Sequence, residues 1–176
     1  MILLKIKYGY GWIVFLGTLA ILVSSCGYRF AGQGNLPGGI PDIRIAVFEN
    51  RTSETGVENI VARCLASEFV RRGVKVGSGS GEGHAVLSGS VESLQIRTIS
   101  RSGQQTALER QVMLSVNVKL VGIDGATVWS AKGLTAGEAY NVEPDKPETE
   151  QSRTEAVEKL ARRLAEVVYA RMTDEF

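Results

Sequence analysis

The chain has 176 residues, 44% of them hydrophobic, with 20 lysines and arginines against 19 aspartates and glutamates. That length, less a leader, builds one domain with a sizeable core and hardly two, and the balanced charge excludes bulk attraction to nucleic acid or anionic lipid as a driving term. One histidine and two cysteines leave no Cys/His set with metal-ligand spacing, so neither a metal nor a cofactor is expected.

The first predicted element is a leader. Lys5 and Lys7 form a positive n-region, residues 12–23 are an unbroken apolar or small-residue stretch, and Val23-Ser24-Ser25-Cys26 closes it. The stretch is shorter than the roughly 20 residues that span a bilayer, which favours a secretory leader over residues 1–25 rather than a transmembrane helix. Its end resembles a lipobox, so Cys26 is the expected lipidation site: diacylglycerol on the sulfur, cleavage before the cysteine, and acylation of the new N-terminus. Gly27, where an aspartate would retain a Gram-negative lipoprotein in the inner membrane, implies lipid anchoring at the outer membrane. An ordinary secretory signal cut elsewhere is the competing reading. Cleavage removes two lysines and no acid, turning the slight positive excess slightly negative. With Cys26 acylated, Cys64 has no partner for an intrachain disulfide, and its place on an apolar helical stripe predicts a buried core residue.

Residues 26–41, rich in glycine and carrying Pro37 and Pro41, read as the lipidated N-terminus and a tether. The domain is expected over 42–176. Ile43, Ile45 and Val47 alternate with Arg44, Ala46 and Phe48 as a first strand. Thr55-Gly56-Val57-Glu58 has capping-box spacing, and Val57, Ile60, Val61, Cys64, Leu65 and Phe69 recur at helical intervals up to Gly73, a left-handed cap. Val74 to Val76 adds an extended segment. Residues 77–83 then form a flexible Gly/Ser loop, which lacks the Lys-Ser/Thr of a phosphate-binding loop.

From Ala85 the period becomes two. Leu87, Gly89 and Val91 share one face, and Leu94, Ile96 and Thr98 have the opposite parity, so a bulge near Glu92-Ser93 is expected to restore the facing. A turn at 100–103 precedes a long strand with Val112, Leu114, Val116, Val118 and Leu120 inward and one wet or partner-facing side. Asp124-Gly125 makes a hairpin turn, and Val128-Trp129-Ser130 begins the return toward Ala139. Pro144 and Pro147 break the chain, Ser152-x-x-Glu155 offers a second capping box, and Val157, Leu160, Ala161, Leu164, Val167 and Val168 line a closing helix. The order β-α-β-β-β-α predicts an α+β fold, a two-layer sandwich with two helices on one face of a small mixed sheet.

Catalytic constellations are missing. His84, beside the flexible loop, reads as a solvated side chain; Glu148 and Glu150 precede a helix, where acids favour the dipole. No nucleophile elbow, dinucleotide-binding fingerprint or RNA-binding aromatic pattern occurs. The chain therefore reads as a non-enzyme that binds and holds. Its most distinctive polar set is Arg97, Arg101, Arg110, Lys119 and Lys132, against Glu92, Glu109 and Asp124. That is a mild basic excess on the outer sheet face, where arginine forks could hold anionic groups of a phosphorylated glycolipid; taken by itself, an ordinary solvated sheet face is the preferred account.

The parts taken together, Cys26-Gly27-Tyr28-Arg29-Phe30, the Leu36-Pro37 tether, Phe48-x-Asn50-x-Thr52, Leu87-x-Gly89, the long strands with Trp129 and the closing helix, resemble the LptE family of lipopolysaccharide-assembly lipoproteins. The resemblance covers essentially the whole chain after the leader. It implies a plug in the lumen of the LptD β-barrel, assisting insertion of lipopolysaccharide (LPS) into the outer leaflet, where a polar sheet face suits a polar barrel interior. Residues 101–107 resemble the family's Arg-x-Gly-Gln-Thr-Ala loop with an extra glutamine, so Arg101 matches a basic LPS-contacting position. Lys146 is a looser match to a second one. The alternative is a structural outer-membrane lipoprotein, a pilotin or barrel-assembly accessory, with no LPS contact.

Overall fold

The computed structural model describes residues 36–77, 84–101 and 107–174; the leader, Cys26, residues 27–35, 78–83 and 102–106 lie outside the described residues. A short 3-10 turn, Pro37–Gly39, precedes β1 (Asp42–Ile45), β2 (Glu49–Asn50), α1 (Val57–Arg71), β3 (Lys75–Gly77), β4 (Ala85–Arg101), β5 (Ala107–Val121), β6 (Thr127–Asn141) and α2 (Lys146–Asp174). The sheet runs β3-β1-β4-β5-β6, with β2 continuing beside β4. β1 is parallel to β3 and β4, a pairing that needs the α1 crossover. β4, β5 and β6 form an antiparallel meander that needs only hairpins.

Both helices cover one face, as the two-layer α+β reading requires. Val112, Leu114, Val116, Val118 and Leu120 are all buried and meet Leu65 and Phe69 of α1 and Leu160, Leu164 and Met172 of α2 in one core. The alternation on β4 survives its change of parity because Glu92 is an extra residue between the pairs Val91↔Val116 and Ser93↔Ser115, the expected bulge. Leu94 and Ile96 thereby lie opposite Leu114 and Val112, on the core side. The packed part of the chain also takes in Leu36, 2% exposed.

Two sequence motifs acquire structural roles. An added Cβ at Gly89 would stand 2.6 Å from Phe48 Cε1 and 2.1 Å from the Asn117 carbonyl oxygen, so only glycine lets the Phe48 ring lie on the sheet there. Asn50 builds the entry to α1: its Nδ2 donates to the Glu54 carbonyl and to Glu58, each at 2.7 Å, while its Oδ1 accepts from Thr52 N–H and Oγ1–H. α1 ends as expected, with Gly73 at φ +83° and Val74 N–H donating to the Phe69 carbonyl at 2.9 Å.

Both predicted capping boxes are corrected. Gly56 precedes α1 with φ +89° and no side-chain cap, because Glu58, the expected partner, is engaged by Asn50. α2 begins at Lys146, which leaves Ser152 inside it; Pro147 falls in the first turn, where its missing N–H has no partner to lose. Thr149 Oγ1 fastens that turn by accepting from Glu143 N–H at 2.9 Å.

The helices are joined by more than apolar contact. Phe69 and Tyr169 meet edge to face at 5.3 Å, and the Arg72 guanidinium lies 5.0 Å from the Tyr169 ring centre. Glu68, 6% exposed, accepts from Arg71 and Arg72. Burial pushes its carboxyl up, but the hydrogen bonds from Arg72 and Arg71 outweigh burial and hold it below the ordinary value.

Candidate functional site

Strand pairing decides which basic residues meet. Arg101 pairs with Ala107 at the end of β4, Arg97 with Gln111, and Arg110 with both Thr98 and Tyr140. Val142 N–H donates to the Leu108 carbonyl at 3.0 Å, which brings the start of α2, and with it Lys146, to the same end of the sheet. Arg97, Arg101, Arg110 and Lys146 thus gather where the β4–β5 hairpin meets the α2 N-terminus. Among the described residues none of the four makes an ion pair, and Arg97 has only a 3.1 Å hydrogen bond to Gln95. Glu109 pairs with Ser100 at this end, so the basic excess is local rather than uniform.

The expectation that all five strand cations share the outer face is corrected in two ways. Arg110 has the parity of Val112 and Leu114, hence faces the helix layer, whereas Arg97 takes the outer face; Arg101 lies beyond two further register shifts, at Ile99 and Leu108, and does not share the alternation that places Arg97. Lys119 pairs with Ser88 and Ser130 near the opposite end of the strands. Lys119 lies nine residue steps along β5 from Arg110, about 30 Å at strand rise. Lys132 lies beside Lys119 along a shallow groove that also includes Arg51, Ser88, Ser90 and Asn117.

Beside that groove the bulged Glu92 collects a polar cluster that sequence reasoning missed. It accepts from Ser90 Oγ at 2.5 Å, Asn117 Nδ2 at 2.8 Å and Arg51 Nη1 at 3.1 Å. The Ser90 hydrogen bond, with the Arg51 charge, holds its carboxyl below the ordinary range. Asn117 Oδ1 also accepts from Gly133 N–H at 2.8 Å, where a break in register on β6 falls. Only the misfit in β4 parity hinted at this cluster. His84 is likewise not free, because its Nδ1 lies 2.7 Å from Asp42 Oδ1, a pairing created by the parallel contact of β1 and β4. On the helix side, Glu138 is bridged by Lys159 and by Arg163; the Lys159 hydrogen bond leads in lowering its carboxyl.

Cys64 is buried, and burial pushes its thiol up, which keeps it in the neutral form. No group of His, Cys, Asp and Glu side chains among the described residues is placed to hold a metal ion. No described helix is long and apolar enough to cross a membrane. What the surface offers is therefore a cationic hairpin end, a polar groove some 30 Å away, and a sheet face that no described helix covers.

The fold recurs in solved lipoproteins. Rare lipoprotein B from Shewanella oneidensis superposes with a TM-score of 0.54 at 14% identity, over 75% of this chain and 95% of that one. Lipoprotein B from Nitrosomonas europaea gives 0.54 at 13% identity, over 85% and 92%. A minor lipoprotein from Acinetobacter baumannii gives 0.51 at 17%, over 77% and 93%. At such identities these show the fold. No curated protein matches the chain. The family model for LptE, lipopolysaccharide-assembly, matches residues 40–172, from just before β1 to the last turn of α2, and the chain therefore belongs to the LptE family, the non-enzymatic lipoproteins of lipopolysaccharide assembly that partner LptD.

Proposed function

We propose that this lipoprotein is anchored in the outer membrane through Cys26, fills the lumen of an LptD barrel, and meets LPS with the hairpin end, Arg101 and Lys146 holding its anionic groups. Residues 1–25 are the leader and 26–41 the lipidated start and tether in this reading. The observation that carries it is the convergence of Arg97, Arg101, Arg110 and Lys146, without ion pairs among the described residues, at one end of a sheet. Arginine forks and a lysine ammonium at such a place suit phosphate groups.

The polarity of the molecule supports the same reading. Gly38 lies against Val128 at the start of β6, so the tether joins the fold at the end opposite Arg101. β5 has 15 residues, about 50 Å of strand, and Gly38 and the cationic end therefore stand about a strand length apart. A plug held at the inner leaflet would present Arg101 deep in its barrel. Lys119 and Lys132, at the tether end, do not join the LPS contact.

LPS binding to the full-length lipoprotein tests the assignment. Arg101→Glu is expected to weaken it about tenfold or more, and Lys119→Glu by less than about twofold, with Tm unchanged in both; tenfold corresponds to roughly 1.4 kcal/mol. Equal affinity of Arg101→Glu and the parent protein would assign the chain to the structural alternative without LPS contact.

A further inference from the structure

The lane beside the far half of β4 is vacant among the described residues. β1 and β2 fill it as far as Val91, whose carbonyl accepts the Arg51 N–H at 3.0 Å. There the Asn50-Thr52 turn lifts the chain out of the sheet toward α1, and from Ser93 to Arg101 β4 pairs with β5 alone.

Backbone direction follows from alternation. Leu87 and Val91 turn their carbonyls toward β1 and β2, so every second residue of that stretch does the same. The extra residue at Glu92 shifts the alternation by one. Leu94, Ile96 and Thr98 consequently send their N–H and C=O groups into the open lane, while Ser93, Gln95 and Arg97 bond to β5. The side chains of the first three face the helix layer, yet Ile96 stays 42% exposed and Thr98 is exposed, because no described residue lies over the lane.

Strand edges left open are ordinarily blunted by short length, bulges or charge. Here the bulges at Glu92 and Ile99 bound the open stretch instead of interrupting it, and the one charged residue between them is Arg97, on the outer face.

We propose that this lane receives an extended segment of the barrel partner, added as a further strand beside Leu94, Ile96 and Thr98. The inference rests on the functional reading above, which supplies the partner. The incoming segment alternates: apolar side chains toward Ile96, acidic side chains beside Arg97. Main-chain bonds to three edge residues hold it, and the side-chain pattern selects it. A second copy of β4 fits poorly. Its own outer positions, Ser93, Gln95 and Arg97, carry no acid, so self-pairing brings arginines together without countercharge.

Amide hydrogen exchange on the full-length lipoprotein, free and in complex with its co-expressed LptD barrel, tests this. Exchange at Leu94, Ile96 and Thr98 is expected to slow at least tenfold in the complex, and Arg97→Glu is expected to weaken the complex about tenfold. Ile96→Pro, which removes a donor on the open side alone, is expected to weaken it as much; should that variant misfold, the exchange data on the parent complex decide. A complex that forms with unchanged exchange at the three amides overturns the lane and leaves the functional reading standing. Protection already present in the free lipoprotein overturns it too, since another part of the chain then fills the lane. Failure to form any complex overturns both.

Discussion

Single residues carry unusual weight where the backbone comes close to another group. Gly89 permits the Phe48 ring and the Asn117 carbonyl to approach the β4 backbone. Gly89→Ala should lose about 2–4 kcal/mol of stability by overpacking against backbone that has nowhere to move, as read by urea unfolding of the full-length protein. Glu68 is the second such residue. Its folded carboxyl is held below its unfolded value by Arg72 and Arg71 despite burial, so its stabilising contribution is present above about pH 4.3 and is lost as pH falls through the lower folded value. Glu68→Gln should therefore unfold more easily at pH 7 but show a shallower acid limb below about pH 4, and melting temperatures across pH 2–7 would reveal it. Gly89 read only as part of an alternating face, because Phe48 and Asn117 come from elsewhere in the chain; the arginines of Glu68 are its own i+3 and i+4 neighbours on α1, and only its burial was set by tertiary packing.

Among the elements, α2 does most of the covering. Leu160, Leu164, Val168 and Met172 are all buried, and Leu160→Ala should cost about 2–5 kcal/mol, detectable as a lower urea midpoint at unchanged slope. Element identity was legible because each periodicity was long: period two over β4 and β5, helical spacing over α1 and α2. Starts were not. Glu58 was drawn away from its capping box by Asn50, and Pro147 was accepted into the first turn of α2, so both helix starts were set by competition between local and distant hydrogen bonds. The bulge at Glu92 was legible because a change of parity within one strand has few other remedies, although the cluster of Ser90, Asn117 and Arg51 around it was not.

At the scale of the whole molecule, the fold places Gly38 and its cationic end about a strand length apart. The lipid on Cys26, outside the described residues, is the remaining anchor of the proposal. Cys26→Ser should abolish incorporation of labelled palmitate and release the protein from the membrane fraction, since no described helix is long and apolar enough to replace the acyl chains. Retention in the membrane fraction through pairing with the barrel alone would assign the anchor a minor share, while incorporation of palmitate by the variant would place the lipid on another residue.

What the sequence determined by itself was whatever depends on nearest neighbours and on regular spacing: two amphipathic helices, three long strands, the parity shift, and the motif order that resembles the LptE family. Which cations meet was decided by tertiary structure alone. Arg97, Arg101, Arg110 and Lys146 converge because β4 and β5 pair in one register and Val142 returns to Leu108, and Lys119 and Lys132 are excluded by that same register. The physical reason is that a strand's period specifies the face of a side chain, whereas its height along the sheet, and so its company, is set by pairing with residues far away in the chain.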